Sequence, residues 1–261
     1  MKKILMVFGA AALLFLGLWP VAVPETVLQN LIENAVGANN DTSVNVVGLQ
    51  KGFFYSFKAD RLTVQKAGRL LISIDDLSVK INPFSFFRMK LSAGYSGAAG
   101  GGSIRGAAEI FRKGNLIKLA VENAEIGELP FTSSAGLEGT GRLSGDLMLK
   151  DGSGELKFSL KEARLKSGAF SGITLPLDLF KEARGMLSIT PGNIKVVSFT
   201  MEGEGIFARL SGDIRGRDLD MKMELMPGSS FIEKNPLILL LGIYKVSPGY
   251  YSVPVRTTMP F

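Results

Sequence analysis

The sequence predicts a mainly β protein. A single N-terminal transmembrane helix is followed by one extended, strongly bent antiparallel sheet, a half-pipe or flattened barrel, with short capping helices. Three observations predict it. Only the first 24 residues hold an apolar run long enough to cross a bilayer. Most of the chain beyond that run alternates apolar and polar residues at period two. Gly-rich turns separate those alternating segments, and no histidine or cysteine occurs anywhere.

The N-terminal run comes first. Lys2 and Lys3 precede the uncharged residues 4–23. Ile4, Leu5, Val7, Phe8, Leu13, Leu14, Phe15, Leu16, Leu18 and Trp19 supply the apolar surface of this candidate anchor. A spanning helix needs about 20 such positions. Basic residues before the run and none close after it place the N-terminus in the cytoplasm. A cleaved signal peptide is the competing reading. It wants a shorter apolar core and a small-x-small site, and Val21-Ala22-Val23 before Pro24 offers no clean one. Either way the bulk of the chain is exported, which in a Gram-negative cell means the periplasm. The expected organisation is an anchor over 1–23, an amphipathic helix and linker over 24–40, and a periplasmic β domain over 41–261.

Composition narrows the function classes. The net charge is +6, from 30 basic and 24 acidic residues, without long runs of like charge. A nucleic-acid footprint would be concentrated, so nucleic acid is not an expected partner, whereas anionic headgroups are permitted. Without histidine or cysteine there are no histidine-based triads, thiol nucleophiles, disulfides or common zinc sites. Carboxylates remain. Asp75 and Asp76 read as solvated bulge residues, Glu202 and Glu204 as a solvent-side row, and Asp213, Asp218 and Asp220 lack calcium-loop spacing. A hydrolase using only Asp, Glu or Ser would need an acid pair converging in a pocket. The expectation is a non-enzyme with no cofactor and no metal.

Along the chain, Pro24-Glu25-Thr26 opens a helix: proline in the first turn, an acid at the positive end of the dipole. Val27, Leu28, Leu31, Ile32, Ala35 and Val36 form its apolar stripe, and Gly37 stops it. Phe53, Tyr55 and Phe57 share a face, after which Leu62 and Val64 take the other parity. The next strand slips likewise: Leu70, Ile72 and Ile74 before Asp75-Asp76, then Leu77, Val79 and Ile81. Neighbouring slips predict paired β-bulges that bend the sheet. Pro83-Phe84-Ser85-Phe86-Phe87 reads as a short helix or corner. The glycines from Gly94 to Gly106 read as a turn, and Glu125 to Ser134 as a loop.

Leu156, Phe158 and Leu160 alternate with lysines and serine, and Asp151-Gly-Ser-Gly154 turns back to Leu147 and Leu149. Met221 and Met223 lie in a similar strand. Phe53, Tyr55, Phe57, Leu156, Phe158, Leu160, Met221 and Met223 are the candidate inner face, as packed core or as groove. Arg142-Leu-Ser-Gly-Asp146 recurs as Arg209-Leu-Ser-Gly-Asp213, with a weaker echo at Ser103-Ile-Arg-Gly106, which reads as a repeated hairpin unit. Asn235-Pro236 starts a short buried helix ended by Gly242, and a last strand runs from about Tyr250 to Arg256.

Several of these segments carry a resemblance in order: the lysine-flanked anchor into Trp19-Pro20, Gly52-Phe-Phe-Tyr55, Ile81-Asn-Pro-Phe84, Leu143-Ser-Gly-Asp146, Leu210-Ser-Gly-Asp213, Leu239-Leu-Leu-Gly242, Pro248-Gly249-Tyr250 and Val253-Pro-Val255. The chain resembles the type II secretion system protein N (GspN) family and, more loosely, AsmA-like proteins. It departs in the last strand, where Arg256-Thr257 stands in place of an expected glycine. The first resemblance implies a single-pass inner-membrane accessory component of type II protein secretion, with other secretion components as partners. The second implies a curved sheet whose apolar face shields or transfers lipid acyl chains. Neither implies catalytic residues.

Overall fold

The structure is a computed structural model. It describes residues 24–26, 29, 42–52, 55–134, 138–166, 168–170, 173–175, 177–216, 218–234 and 241–258. The expected anchor over 1–23 lies outside them, as does most of the amphipathic helix. Among the described residues no helix is long and apolar enough to cross a membrane.

The chain is mainly β, in one large antiparallel sheet that does not close on itself. Strands β1 (Thr42–Val47), β2 (Gln50–Lys51), β3 (Ser56–Lys66) and β4 (Arg69–Asn82) open it. A 3-10 helix, Pro83–Arg88, leads to β5 (Lys90–Ala99), β6 (Gly102–Phe111) and β7 (Gly114–Glu125). Helix α1 (Pro130–Ser134) precedes β8 (Gly139–Lys150) and β9 (Ser153–Leu165). A small hairpin of β10 (Gly168–Phe170) and β11 (Ile173–Leu175) stands apart as its own sheet. The main sheet resumes with β12 (Phe180–Thr190), β13 (Asn193–Gly203), β14 (Ile206–Arg215) and β15 (Asp218–Pro227). Helix α2 (Ser229–Lys234) leads towards β16 (Lys245–Ser247) and β17 (Tyr250–Thr258). The spatial order is β1-β3-β4-β5-β6-β7-β8-β9-β12-β13-β14-β15-β17-β16, so nearly every strand pairs with its neighbours in sequence.

The long connections gather at one end of the strands. At the other end the turns Arg112-Lys113, Asp151-Gly152 and Pro191-Gly192 are tight, with the Pro83–Arg88 helix as the exception. The first end holds the connections that carry α1, the β10–β11 hairpin and α2, beside the tight turns Ala67-Gly68, Gly100-Gly101 and Glu204-Gly205. There Ile126, Phe180, Ile206 and Phe231 pack with Ala163, Ala183 and Ala208 into a buried cluster. Helix α1 packs against β4, whose first residues, 69–74, have no β5 partner. The Thr132 hydroxyl lies 2.8 and 2.6 Å from the carbonyl oxygens of Ile126 and Leu129 and ties this connection together.

The predicted slip at Asp75-Asp76 is a bulge against β5, whereas β3 keeps its register with β1 and, from Ala59 to Arg61, with β4, so the bulges are not paired. β4 carries an extra residue against β5, with Asp75 opposite Ala98 and Ser78 opposite Ser96, and Asp76 takes a φ of 50°. β7 repeats this around Asn123, between Val121↔Gly145 and Ala124↔Leu143. β9 does so around Glu162, and β13 between Val196 and Phe199. A bulge leaves a backbone group without its ladder partner. At Asn123 the orphan N–H donates to the Ser144 hydroxyl at 3.0 Å. In β7 the inserted residue hands the inward position from Val121 to Ala124, so the apolar side chains stay on one face.

Two further expectations are corrected. Gly94 to Gly106 is not a turn: only Gly100 and Gly101 turn, while Gly94, Gly97, Gly102 and Gly106 lie within strands. Glu125 to Ser134 is not a plain loop but ends β7 and then holds a 3-10 turn and α1. The Arg-Leu-Ser-Gly-Asp echoes each lie in the first strand of a hairpin, β8–β9 and β14–β15. Most of the expected helix from Asn235 lies outside the described residues, and 241–244 form a 3-10 turn.

Glycine inside strands costs β propensity, and the reason lies opposite. A Cβ at Gly185 would collide with the ring of Phe158, which lies across that glycine to meet Phe199 at 5.8 Å between centroids. Gly185→Val is therefore expected to destabilise the fold by about 1–3 kcal/mol through overpacking. Adding Phe158→Ala should recover part of the loss, because the two residues are coupled. Urea unfolding of both variants checks this. An unchanged midpoint for Gly185→Val would mean the ring does not lie there.

Candidate functional site

The site is a face rather than a pocket. Paired residues on adjacent antiparallel strands point to the same side, so the register gives the face row by row. One row runs Phe57↔Val79↔Tyr95↔Gly106↔Leu119↔Leu147↔Leu156. It continues Leu187↔Val196↔Gly212↔Met221↔Val255. Twelve strands thus contribute one apolar or glycine position each. The next row passes Ile104, Val121, Gly145, Phe158, Gly185, Phe199, Leu210, Met223 and Val253.

Glycine and aromatic positions alternate along these rows. Tyr95 lies across Gly106 and donates its hydroxyl to the Lys118 carbonyl at 2.9 Å. Burial pushes that hydroxyl above its usual pKa range, so it stays a donor. The Leu-x-Gly echo acquires a physical meaning here. Leu143-Ser-Gly145, Leu210-Ser-Gly212 and Ile104-Arg-Gly106 each put an aliphatic residue and then a glycine at successive inward positions.

Depth varies along the face. Leu119, Leu147, Leu156 and Leu187 are only half-buried. Val196, Leu219, Met221, Met223 and Val253 are buried. The described helices sit in the connections at the strand ends. The opposite face is polar. Its strands carry the cross-strand ion pairs Arg61–Asp75 at 2.6 Å, Lys90–Glu109 at 3.1 Å, Arg256–Asp220 at 3.0 Å and Arg105–Glu122. Exposed pairs are worth about 0.2–1 kcal/mol each. They mark the face given to solvent more than they hold the sheet together.

Most of the candidate inner-face residues take the expected side. Phe57, Leu156, Phe158, Leu160, Met221 and Met223 all lie on the apolar face. Tyr55 does not continue the Phe57 alternation. It sits before β3 with a φ of 57°, is buried, and its carbonyl accepts the Ile81 N–H at 2.9 Å. Phe53 and the anchor residues from Ile4 to Trp19 lie outside the described residues. Tyr95, Leu119, Leu147, Leu187, Phe199 and Leu210 belong to the same rows and are not among the sequence candidates. Period-two alternation marks Leu119 and Leu147; only the pairing links the others.

Of the carboxylates considered in the sequence, Asp213 and Asp220 stand opposite each other on the polar face of β14 and β15. Asp75 holds Arg61, Asp220 holds Arg256, and Asp213 accepts from the Asn193 amide at 3.3 Å. A recess of about 440 Å³ lies where β8, β9 and β12 meet, lined by Glu125, Arg142, Glu162, Arg164 and Lys181 among others. Both of its acids are engaged: Glu125 accepts the Gly141 N–H at 2.7 Å, and Glu162 lies 3.7 Å from the Arg142 guanidinium. Among the described residues no group of three Asp or Glu side chains could hold a metal ion.

Both edges of the sheet are distinctive. The helical residues Glu25 and Gln29 lie against the β1–β2 edge. Glu25 accepts the Lys51 N–H and Gln29 donates to the Val46 carbonyl, each at 3.1 Å. At the other edge β16 pairs only with the start of β17. Pro254 is tolerated beyond that point because an edge strand can forgo one N–H. No family model, curated protein or solved structure matches the chain.

Tyr250 and Lys222 both donate to Glu224, each at 2.8 Å, and the Tyr250 bond ties β17 to β15. These bonds, with the lysine first, hold the Glu224 carboxyl below its ordinary range. Stability from a depressed carboxyl is present above the unfolded value of about 4.3 and lost as pH falls through the folded one. Glu224→Gln should therefore weaken the domain at neutral pH and flatten its acid-unfolding limb. Denaturant titrations at several pH values check this. A limb that keeps its slope would show the carboxyl titrates alike folded and unfolded.

Proposed function

We propose that this chain binds lipid acyl chains along the apolar face of its sheet, which the bulges bend into a trough. One observation carries the reading: an unbroken apolar row across twelve strands of a sheet that does not close. Bulges on β4, β7 and β13 flank the row through Val121, Phe158 and Phe199, and the bulge on β9 lies further along its strand; each bulge bends its strand. Bends distributed across the sheet in this way curve it. The apolar residues take the concave side, where crowding accounts for the burial of Val196, Leu219 and Met221.

The magnitudes suit such a ligand. Each buried methylene gains about 0.8 kcal/mol, so a chain of about fifteen gains roughly 12 kcal/mol before the cost of ordering it. Rows of leucine, phenylalanine and methionine offer no hydrogen bonds and no fixed shape, which fits a flexible hydrocarbon better than a polar substrate. The long half-buried stretch of this face leaves apolar area for an occupant to cover, because soluble proteins rarely leave a large apolar surface bare. In an exported, membrane-anchored protein, the occupant at hand is lipid.

A second reading has its own observation. Among the described residues, β17 has no partner on its outer edge from Ser252 on. A strand from another chain could add there, as a secretion accessory component would require. Pro254 interrupts that edge, and the reading otherwise rests on the short motifs shared with secretion protein N.

Site-specific photo-crosslinking in intact cells separates the two. A probe at Phe158, on the apolar face, is expected to capture lipid, and a probe at Lys157, on the polar face, is not. Protein adducts at Lys157 with a silent Phe158 would overturn lipid binding and favour the secretion reading.

A further inference from the structure

We propose that the lip formed by residues 83–90 and 109–113, at the end of the strands opposite α1 and α2, docks onto an anionic lipid bilayer. This goes beyond acyl-chain binding and does not depend on it, because the lip lies at the strand ends and not in the trough.

The lip concentrates exposed apolar side chains. Phe84 is 70% exposed, Phe87 86% and Met89 78%, with Ile110 at 54% beside them. Ile110 belongs to the apolar face: it pairs with Leu91 and follows Ala108 and Gly106 at inward positions. The apolar surface therefore runs out of the trough and onto the lip.

This display is built into the fold. The buried Ser85 hydroxyl donates to the Asn82 carbonyl at 2.6 Å and accepts the Ser92 N–H at 3.1 Å. The Asn82 side chain accepts the Phe84 N–H at 3.1 Å. These bonds pin the 3-10 turn from inside while Phe84 and Phe87 face outward. Met89 holds a φ of 52°, a conformation that a non-glycine residue keeps only where its surroundings impose it.

Charge selects the partner. The two segments hold Arg88, Lys90, Arg112 and Lys113 against the single carboxylate of Glu109. Glu109 pairs with Lys90, whose ammonium also lies 5.7 Å from the Phe111 ring. Among the described residues, Arg88, Arg112 and Lys113 have no ion-pair partner. Splayed aromatics ringed by unpaired cations suit a soft, negatively charged interface, where rings enter the headgroup boundary and cations stay at its surface. A protein partner would need a cavity shaped for each ring.

The chain has no cysteine, so one introduced thiol labels one place. The full chain in zwitterionic nanodiscs, carrying an environment-sensitive fluorophore on Phe87→Cys, is titrated with vesicles of brominated phosphatidylglycerol. A Glu204→Cys control sits at the opposite strand ends. Quenching is expected at position 87 and not at 204, and weakly or not at all with brominated phosphatidylcholine. Replacing Arg88, Arg112 and Lys113 together by Gln should lower vesicle affinity on the order of a hundredfold, at about 1 kcal/mol per charge. Equal quenching at 87 and 204, quenching at neither, or an unchanged affinity in the triple variant would overturn the proposal. The acyl-chain reading is tested separately at Phe158, so either can fail alone.

Discussion

Everything in this sheet depends on keeping apolar side chains on one face through strands too long and too curved for strict alternation. A strand of ten to fourteen residues, such as β4 or β5, cannot bend sharply without disturbing its ladder. An inserted residue relieves the bend but moves every later side chain to the other face. The sequence compensates by shifting its own apolar phase at the same place. On β4 the inward set changes from Ile72 and Ile74 to Leu77 and Val79 across Asp76. Asp76 and Asn123 are residue types that tolerate the left-handed backbone these bulges require; Glu162 is less usual there. Bend and pattern are one feature.

Energetically the two faces are unequal partners. The polar face carries exposed ion pairs of small individual worth. On the apolar face a leucine at half burial contributes roughly 1 kcal/mol, repeated over two rows and a dozen strands. Burial is complete where the longer connections fold over the strand ends, around Phe180, Ile206 and Phe231. Along the Leu119, Leu147, Leu156 and Leu187 stretch it stays partial. A single-layer sheet must cover its apolar face with something. Partial burial in the middle is where an acyl chain would complete the core.

Much of this was legible in the sequence, and the misses have physical causes. The strands, the Asp151-Gly152 hairpin and the slip at Asp75-Asp76 follow from large aliphatic residues whose parity is easy to read. The bulges at Asn123 and Glu162 were hidden because the inward residues after them are Ala124 and Ala163, buried but too small to announce a phase. The strand glycines looked like turns because glycine is depleted in strands. Only pairing reveals that Tyr95 fills the space above Gly106 and Phe158 the space above Gly185. Helix α1, with Pro-Phe-Thr-Ser-Ser, has no amphipathic period. It forms where Thr132 reaches two carbonyls and β4 offers an unpaired flank. Phe84 and Phe87 read as a corner, which they are, but their exposure is a tertiary fact.

The central claim is that the apolar face is accessible from outside. Single cysteines at Leu147, Leu156 and Leu187 in the full, otherwise cysteine-free chain test it through their rates of reaction with a small water-soluble thiosulfonate. An accessible trough predicts rates approaching that of a cysteine at Lys157 on the polar face, falling when a long-chain fatty acid is added. Thiols that stay unreactive until denaturant is added would mean a sealed core, and would contradict the account.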